Sequence, residues 1–93
     1  MIKYGQQSID QSDIDSVVDI LKSDWLTQGP AVSKFEESVA SKVGAKFGVA
    51  SNSATSALHI AYMSLGLKPG DSIWTSPNTF VATTNAAIFC GAK

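Results

Sequence analysis

Apolar residues near the start of the chain recur with a helical period. From Asp10 to Lys22, the positions Ile14, Val17, Val18 and Leu21 fall at i, i+3, i+4 and i+7, which is one stripe of a helix. Asp10 or Ser12 can cap its start, and Asp13 sits where the helix dipole favours a carboxylate. A second helix is predicted from Pro30, a residue suited to a first helical position, with Val32, Phe35, Val39 and Val43 along one face and Gly44 as its stop. The period then changes. Residues 47–50, FGVA, form a short apolar run without polar alternation, as expected of a strand covered on both faces. A third helix is predicted from about Ala54 to Leu65, ended by Gly66, and a second strand over 72–75, SIWT. A last helix is predicted from near Thr79 to Cys90, opened by Phe80 and closed by Gly91.

The predicted order is therefore α, α, β, α, β, α. Strands alternating with helices argue an α/β layer with parallel strands. Two short strands cannot cover the apolar faces of four helices, and the alternation calls for another strand where the chain stops at Lys93. The expectation is an incomplete domain, a piece of a longer protein.

Composition narrows the function classes. Hydrophobic content of 44% with 16% charged residues is that of an ordinary globular chain. The net charge of −1, with seven Lys and no Arg scattered along the chain, leaves no basic footprint for nucleic acid. Apolar runs are interrupted before membrane-spanning length, and MIKYGQQSID lacks the apolar core of a secretory signal, so a cytoplasmic protein without a membrane partner is expected. One Cys and one His cannot assemble a Cys/His metal set. Cys90 and His59 both read as packed residues among apolar neighbours.

The stretch with most chemistry in it is 51–62, SNSATSALHIAY. A strand that runs into Ser51-Asn-Ser-Ala-Thr55 and then a helix aims backbone N–H groups and the positive end of the helix dipole at one point. Small side chains let an anion approach the main chain, and Ser53 and Thr55 can add hydroxyl hydrogen bonds. Phosphate fits this description, and so does a plain helix cap with spare hydroxyls. No dinucleotide or P-loop glycine fingerprint is present. In TSPNTFVA, residues 75–82, Phe80 offers either core packing or an aromatic face for a flat ligand ring.

The succession LTQGP (26–30), FEESVASKVGAKFGVASNSATSALHIAY (35–62) and GDSIWTSPNTFVATTNAAIFCGAK (70–93) resembles the amino-terminal part of the DegT/DnrJ/StrS sugar aminotransferases. Within that family it looks most like the enzymes that aminate carbon 4 of a UDP-linked keto-deoxy sugar on the way to pseudaminic acid. The resemblance implies the large domain of the aspartate-aminotransferase fold, pyridoxal 5'-phosphate as cofactor, glutamate as amino donor, a UDP-sugar as substrate and a homodimer. It implies that Ser53, Ala54 and Thr55 hold the cofactor phosphate and that Phe80 stacks on the pyridine ring. Tyr4 and Thr27 match positions beside the substrate. Ala54 stands where the family more often has Gly, and at negative φ an Ala still leaves the backbone accessible.

The same resemblance places the lysine that joins the cofactor, and the aspartate that pairs with the pyridine nitrogen, downstream of residue 93. No catalytic residue is therefore expected within the chain, and the 93 residues alone are expected to be inactive. It also separates the two predicted strands within the family's sheet, so the isolated piece is expected to fold poorly or to assemble abnormally. Two other readings share these residues: a cofactor-dependent sugar dehydratase of the same fold, in which histidine replaces the lysine, and a non-catalytic module that binds a phosphorylated ligand.

Overall fold

The structure is a computed structural model that describes residues 5–93. The chain divides into two compact units, Met1–Gly48 and Val49–Lys93.

The first unit contains α1 (Gln11–Lys22) and α2 (Pro30–Val43). Asp10 caps α1 with a capping box. Its carboxylate accepts from the Ser12 and Asp13 amides at 2.8 and 3.1 Å, and the Asp13 carboxylate accepts from the Asp10 amide at 3.0 Å. The Ser12 hydroxyl, first, and then the Asp13 and Ser12 amides hold the Asp10 carboxyl below the usual carboxylate range. Pro30 occupies the first turn of α2, and Gly44 ends the helix at φ 69°. The Ala45 amide donates back to the Ala40 carbonyl at 2.9 Å, which satisfies one of the helix's last acceptors. Past this turn the chain runs close against α2. A β-carbon at Gly48 would lie 2.6 Å from the Glu36 carbonyl oxygen, so only glycine passes there without a shift. The apolar stripe of α1 stays largely open to solvent, with Val17 at 59% and Leu21 at 65% exposure, and no α1 residue is buried.

The second unit is a helical pair, α3 (Ala54–Ser64) and α4 (Ala82–Phe89), packed on each other. The Tyr62 hydroxyl donates to the Thr83 carbonyl at 3.2 Å, and the rings of His59 and Phe89 meet edge to face at 5.6 Å. Ala82, Ala86 and Ala87 are buried, as is Ala92 just beyond the helix. A Schellman motif closes α4: Gly91, at φ 84°, donates to the Ile88 carbonyl at 2.8 Å, and Ala92 donates to the Ala87 carbonyl at 3.1 Å.

The two expected strands differ from the structure, which holds helices and no strand among the described residues. A helix closes its own hydrogen bonds, whereas a strand exists only where a neighbour supplies the ladder. Residues 72–75 have the beginning of one. The Lys93 amide donates to the Asp71 carbonyl at 2.9 Å, and the Ile73 amide donates to the Lys93 carbonyl at 3.0 Å. That exchange is the parallel pattern, with Lys93 opposite Ser72. Segment 71–73, helix α4 and Lys93 thus make the first rung of a β-α-β unit. The predicted α/β class survives as this single pairing and not as a formed sheet.

Candidate functional site

The hydroxyl and amide cluster before α3 divides into two sets. Ser53, with extended backbone at φ −162° and ψ 160°, is the N-cap, and its Oγ accepts from the Ser56 amide at 3.2 Å. The Ser56 hydroxyl donates to Asn52 Oδ1 at 2.7 Å, and the Ser51 hydroxyl donates to the Ser53 carbonyl at 3.0 Å. These bonds fix the turn and consume its side chains. The Ala54 and Thr55 amides and the Thr55 hydroxyl are left without a partner among the described residues. All three positions from 53 to 55 are exposed.

Two free amides at the positive end of a helix, with a neighbouring free hydroxyl, are the donor set that a phosphate dianion accepts from. A cap alone accounts for Ser53 and leaves the Thr55 hydroxyl without a task. Asn52 and Ser56 emerge as the residues that hold Ser53 in place. Their spacing, which sets Asn52 just ahead of the N-cap and Ser56 in the first turn of α3, was the available signal in the sequence.

Phe80 does not open the last helix as its sequence suggested. Helix α4 begins at Ala82, after Val81 in helical conformation as N-cap, so Phe80 lies on the segment leading in. The reason is local. The Phe80 carbonyl accepts from the Thr83 amide at 3.1 Å, and the Thr79 and Thr83 hydroxyls pair at 3.0 Å, which makes a tight entry turn ahead of the regular helix. The Phe80 ring is 77% exposed, so it is not committed to core packing.

Thr27 belongs to the first unit. It is exposed on the segment between α1 and α2 and lines a shallow hollow with Trp25, Leu26 and Pro30. Tyr4 lies outside the described residues. Cys90 is a half-buried free thiol at the end of α4. No helix of the described residues is long and apolar enough to cross a membrane.

Comparisons with known proteins point one way. The model of the DegT/DnrJ/EryC1/StrS aminotransferase family matches residues 7–93. A UDP-4-amino-4,6-dideoxy-N-acetyl-β-L-altrosamine transaminase of Campylobacter jejuni is 50% identical over 93 residues, covering 100% of this chain and 24% of that protein. The spore coat polysaccharide biosynthesis protein SpsC of Bacillus subtilis is 44% identical over 91 residues, covering 98% of this chain and 23% of its own. A solved structure from Streptococcus pneumoniae, described as a sugar aminotransferase in its PLP form, superposes with a TM-score of 0.90 at 30% identity, over 99% of this chain and 24% of that one. The chain thus spans about a quarter of the length of the relatives it matches.

Proposed function

The chain belongs to the DegT/DnrJ/EryC1/StrS aminotransferase family, and from that membership we propose that it forms the cofactor-phosphate portion of a pyridoxal-phosphate-dependent nucleotide-sugar aminotransferase. The proposed reaction moves an amino group from glutamate to a UDP-linked keto-deoxy sugar of the kind met on the way to pseudaminic acid. The working form is a cytoplasmic homodimer of a longer polypeptide, in which residues 1–93 are one part of a single large domain.

The observation that carries this reading is the surplus of donors at the start of α3. Ser53 caps the helix, while the Ala54 and Thr55 amides and the Thr55 hydroxyl have no partner among the described residues. In the proposed enzyme they bind the cofactor's phosphate, and the helix dipole adds a favourable field. Phe80, open on the segment before α4, lies against the pyridine ring and orients it. Thr27 and Tyr4 contribute to the sugar side. When bound, the cofactor supplies an electron sink for the reacting carbon. The residues that join it and move protons belong to the longer polypeptide, so residues 1–93 by themselves bind and orient without turning over.

The test is to supply the complete reading frame with pyridoxal phosphate, a UDP-4-keto sugar and isotope-labelled glutamate. Mass spectrometry should find the label in the sugar product, and none when residues 1–93 are used alone. A product that has lost oxygen and gained no nitrogen would identify a dehydratase and overturn the assignment. Tight binding of a different phosphorylated ligand, with no visible absorbance on adding pyridoxal phosphate, would instead make the chain a binding module.

A further inference from the structure

Helix α3 and the turn that carries Phe80 are joined through Thr83. The Tyr62 hydroxyl donates to the Thr83 carbonyl at 3.2 Å, a half-buried bond across 21 positions of the chain, and among the described residues it is the one side-chain hydrogen bond between α3 and α4. Thr83 in turn holds the two residues before Val81. Its amide donates to the Phe80 carbonyl at 3.1 Å, and its hydroxyl pairs with that of Thr79 at 3.0 Å. Every one of these bonds is made inside the second unit.

Tyr62 stands seven residues after Thr55, which puts the two on one face of α3, about two turns and roughly 10 Å apart along its axis. The stripe of α3 that bears the Thr55 hydroxyl is therefore the stripe that meets the entry to α4. We propose that Tyr62 and Thr83 are positioning residues, which set the place of Phe80 relative to the start of α3 so that a ligand's ring and its phosphate are met at one fixed spacing. The proposal rests on the cofactor reading above, and neither residue touches the ligand itself. The helix fixes the distance from Thr55 to Tyr62, the hydroxyl bond fixes Tyr62 to Thr83, and the entry turn fixes Thr83 to Phe80.

What the arrangement supplies is pre-organisation. A ring support on a loose segment has to be ordered when the ligand arrives, and that ordering subtracts from affinity. With the backbone of residues 79 and 80 already bonded to Thr83, the ordering is complete before binding. The effect is confined to the ring half of the ligand. The donors at 54 and 55 belong to the first turn of α3, to which neither Tyr62 nor Thr83 hydrogen-bonds. A plain strut between two helices would stabilise the fold and leave the ligand's geometry alone, which separates the two roles by experiment.

The test uses the complete enzyme and pyridoxamine phosphate, read by spectroscopic titration and by the circular dichroism that the bound ring acquires from fixed surroundings, with inorganic phosphate as a competing ligand. Tyr62→Phe keeps the aromatic ring and deletes the hydroxyl. It should weaken pyridoxamine phosphate by about fivefold, the factor that one neutral hydrogen bond corresponds to, diminish the induced dichroism and leave competition by inorganic phosphate unchanged. In a Phe80→Ala background the same substitution should have no further effect, because the residue it acts through is gone. Thr83→Val should repeat the loss and Thr83→Ser, which keeps a hydroxyl for Thr79, should restore wild-type values; this pair decides the matter even if Tyr62→Phe does not fold. Unaltered affinity and dichroism in Tyr62→Phe, an equal loss for inorganic phosphate, an effect that persists without Phe80, or a serine variant no better than the valine one overturns the proposal and leaves the cofactor reading standing. A wild-type enzyme that binds pyridoxamine phosphate no better than inorganic phosphate overturns both.

Discussion

Replacing Thr55 by Val exchanges a hydroxyl for a methyl at nearly constant volume, and the structure separates its consequence from that of the neighbouring cap. The Thr55 hydroxyl has no partner among the described residues, so the substitution removes no hydrogen bond from the fold. If that hydroxyl donates to the cofactor phosphate, the loss is one charge-assisted hydrogen bond, about 1.5–3 kcal/mol. That range corresponds to about a 10- to 150-fold weaker dissociation constant. Ser53→Ala behaves differently, because Ser53 Oγ accepts from the Ser56 amide at 3.2 Å. Losing that cap costs about 1 kcal/mol of stability. The assay is a spectroscopic titration of the complete enzyme with pyridoxamine phosphate, run beside pyridoxamine, which lacks the phosphate. Thr55→Val should weaken the first ligand by the stated factor, spare the second and leave the unfolding midpoint unchanged. Equal affinity of wild type and variant for the phosphate ester would refute the reasoning. So would an equal loss for both ligands, which would mean that the substitution disturbs the ring site.

Phe80→Ala removes an exposed ring from the approach to α4 and should weaken cofactor retention in the complete enzyme by about 1–2 kcal/mol, through lost aromatic contact and burial. Unchanged retention in a dialysis assay would remove Phe80 from the site. Gly91→Ala puts a side chain on a residue at φ 84°, with its β-carbon 2.6 Å from the Pro69 ring. The backbone strain alone is about 1–2 kcal/mol, and the Ala92 and Lys93 amides should exchange correspondingly faster, whereas unaltered exchange would show that the turn has another solution. The Asp10 carboxyl has a lowered pKa in the fold, so its support of α1 is complete above the unfolded carboxylate pKa and disappears as pH falls through the lowered folded value. Amide exchange at Ser12 and Asp13 should show a loss of protection at that acid end, and Asp10→Asn, which caps without titrating, should flatten it. A profile insensitive to Asp10→Asn would locate the pH response elsewhere.

Local physics was legible from the residues alone. A cap at Asp10, one of the two residues the sequence offered, Pro30 at the head of α2 and the glycine stops at 44 and 91 appear where the sequence puts them, because caps and helical turns join residues within about five positions of one another. The crowding of small polar residues at 51–56 was equally visible. Tertiary structure alone decided the rest. It showed which hydroxyls the turn uses and which donors are left without a partner among the described residues, since Ser56 bonds to Asn52 and Ser53. It moved the start of α4 past Phe80 through the Thr79 and Thr83 pairing. It reduced two expected strands to one rung at Lys93. A strand is a relation between distant segments, and the residues of one segment can favour extension without supplying the neighbour that completes it.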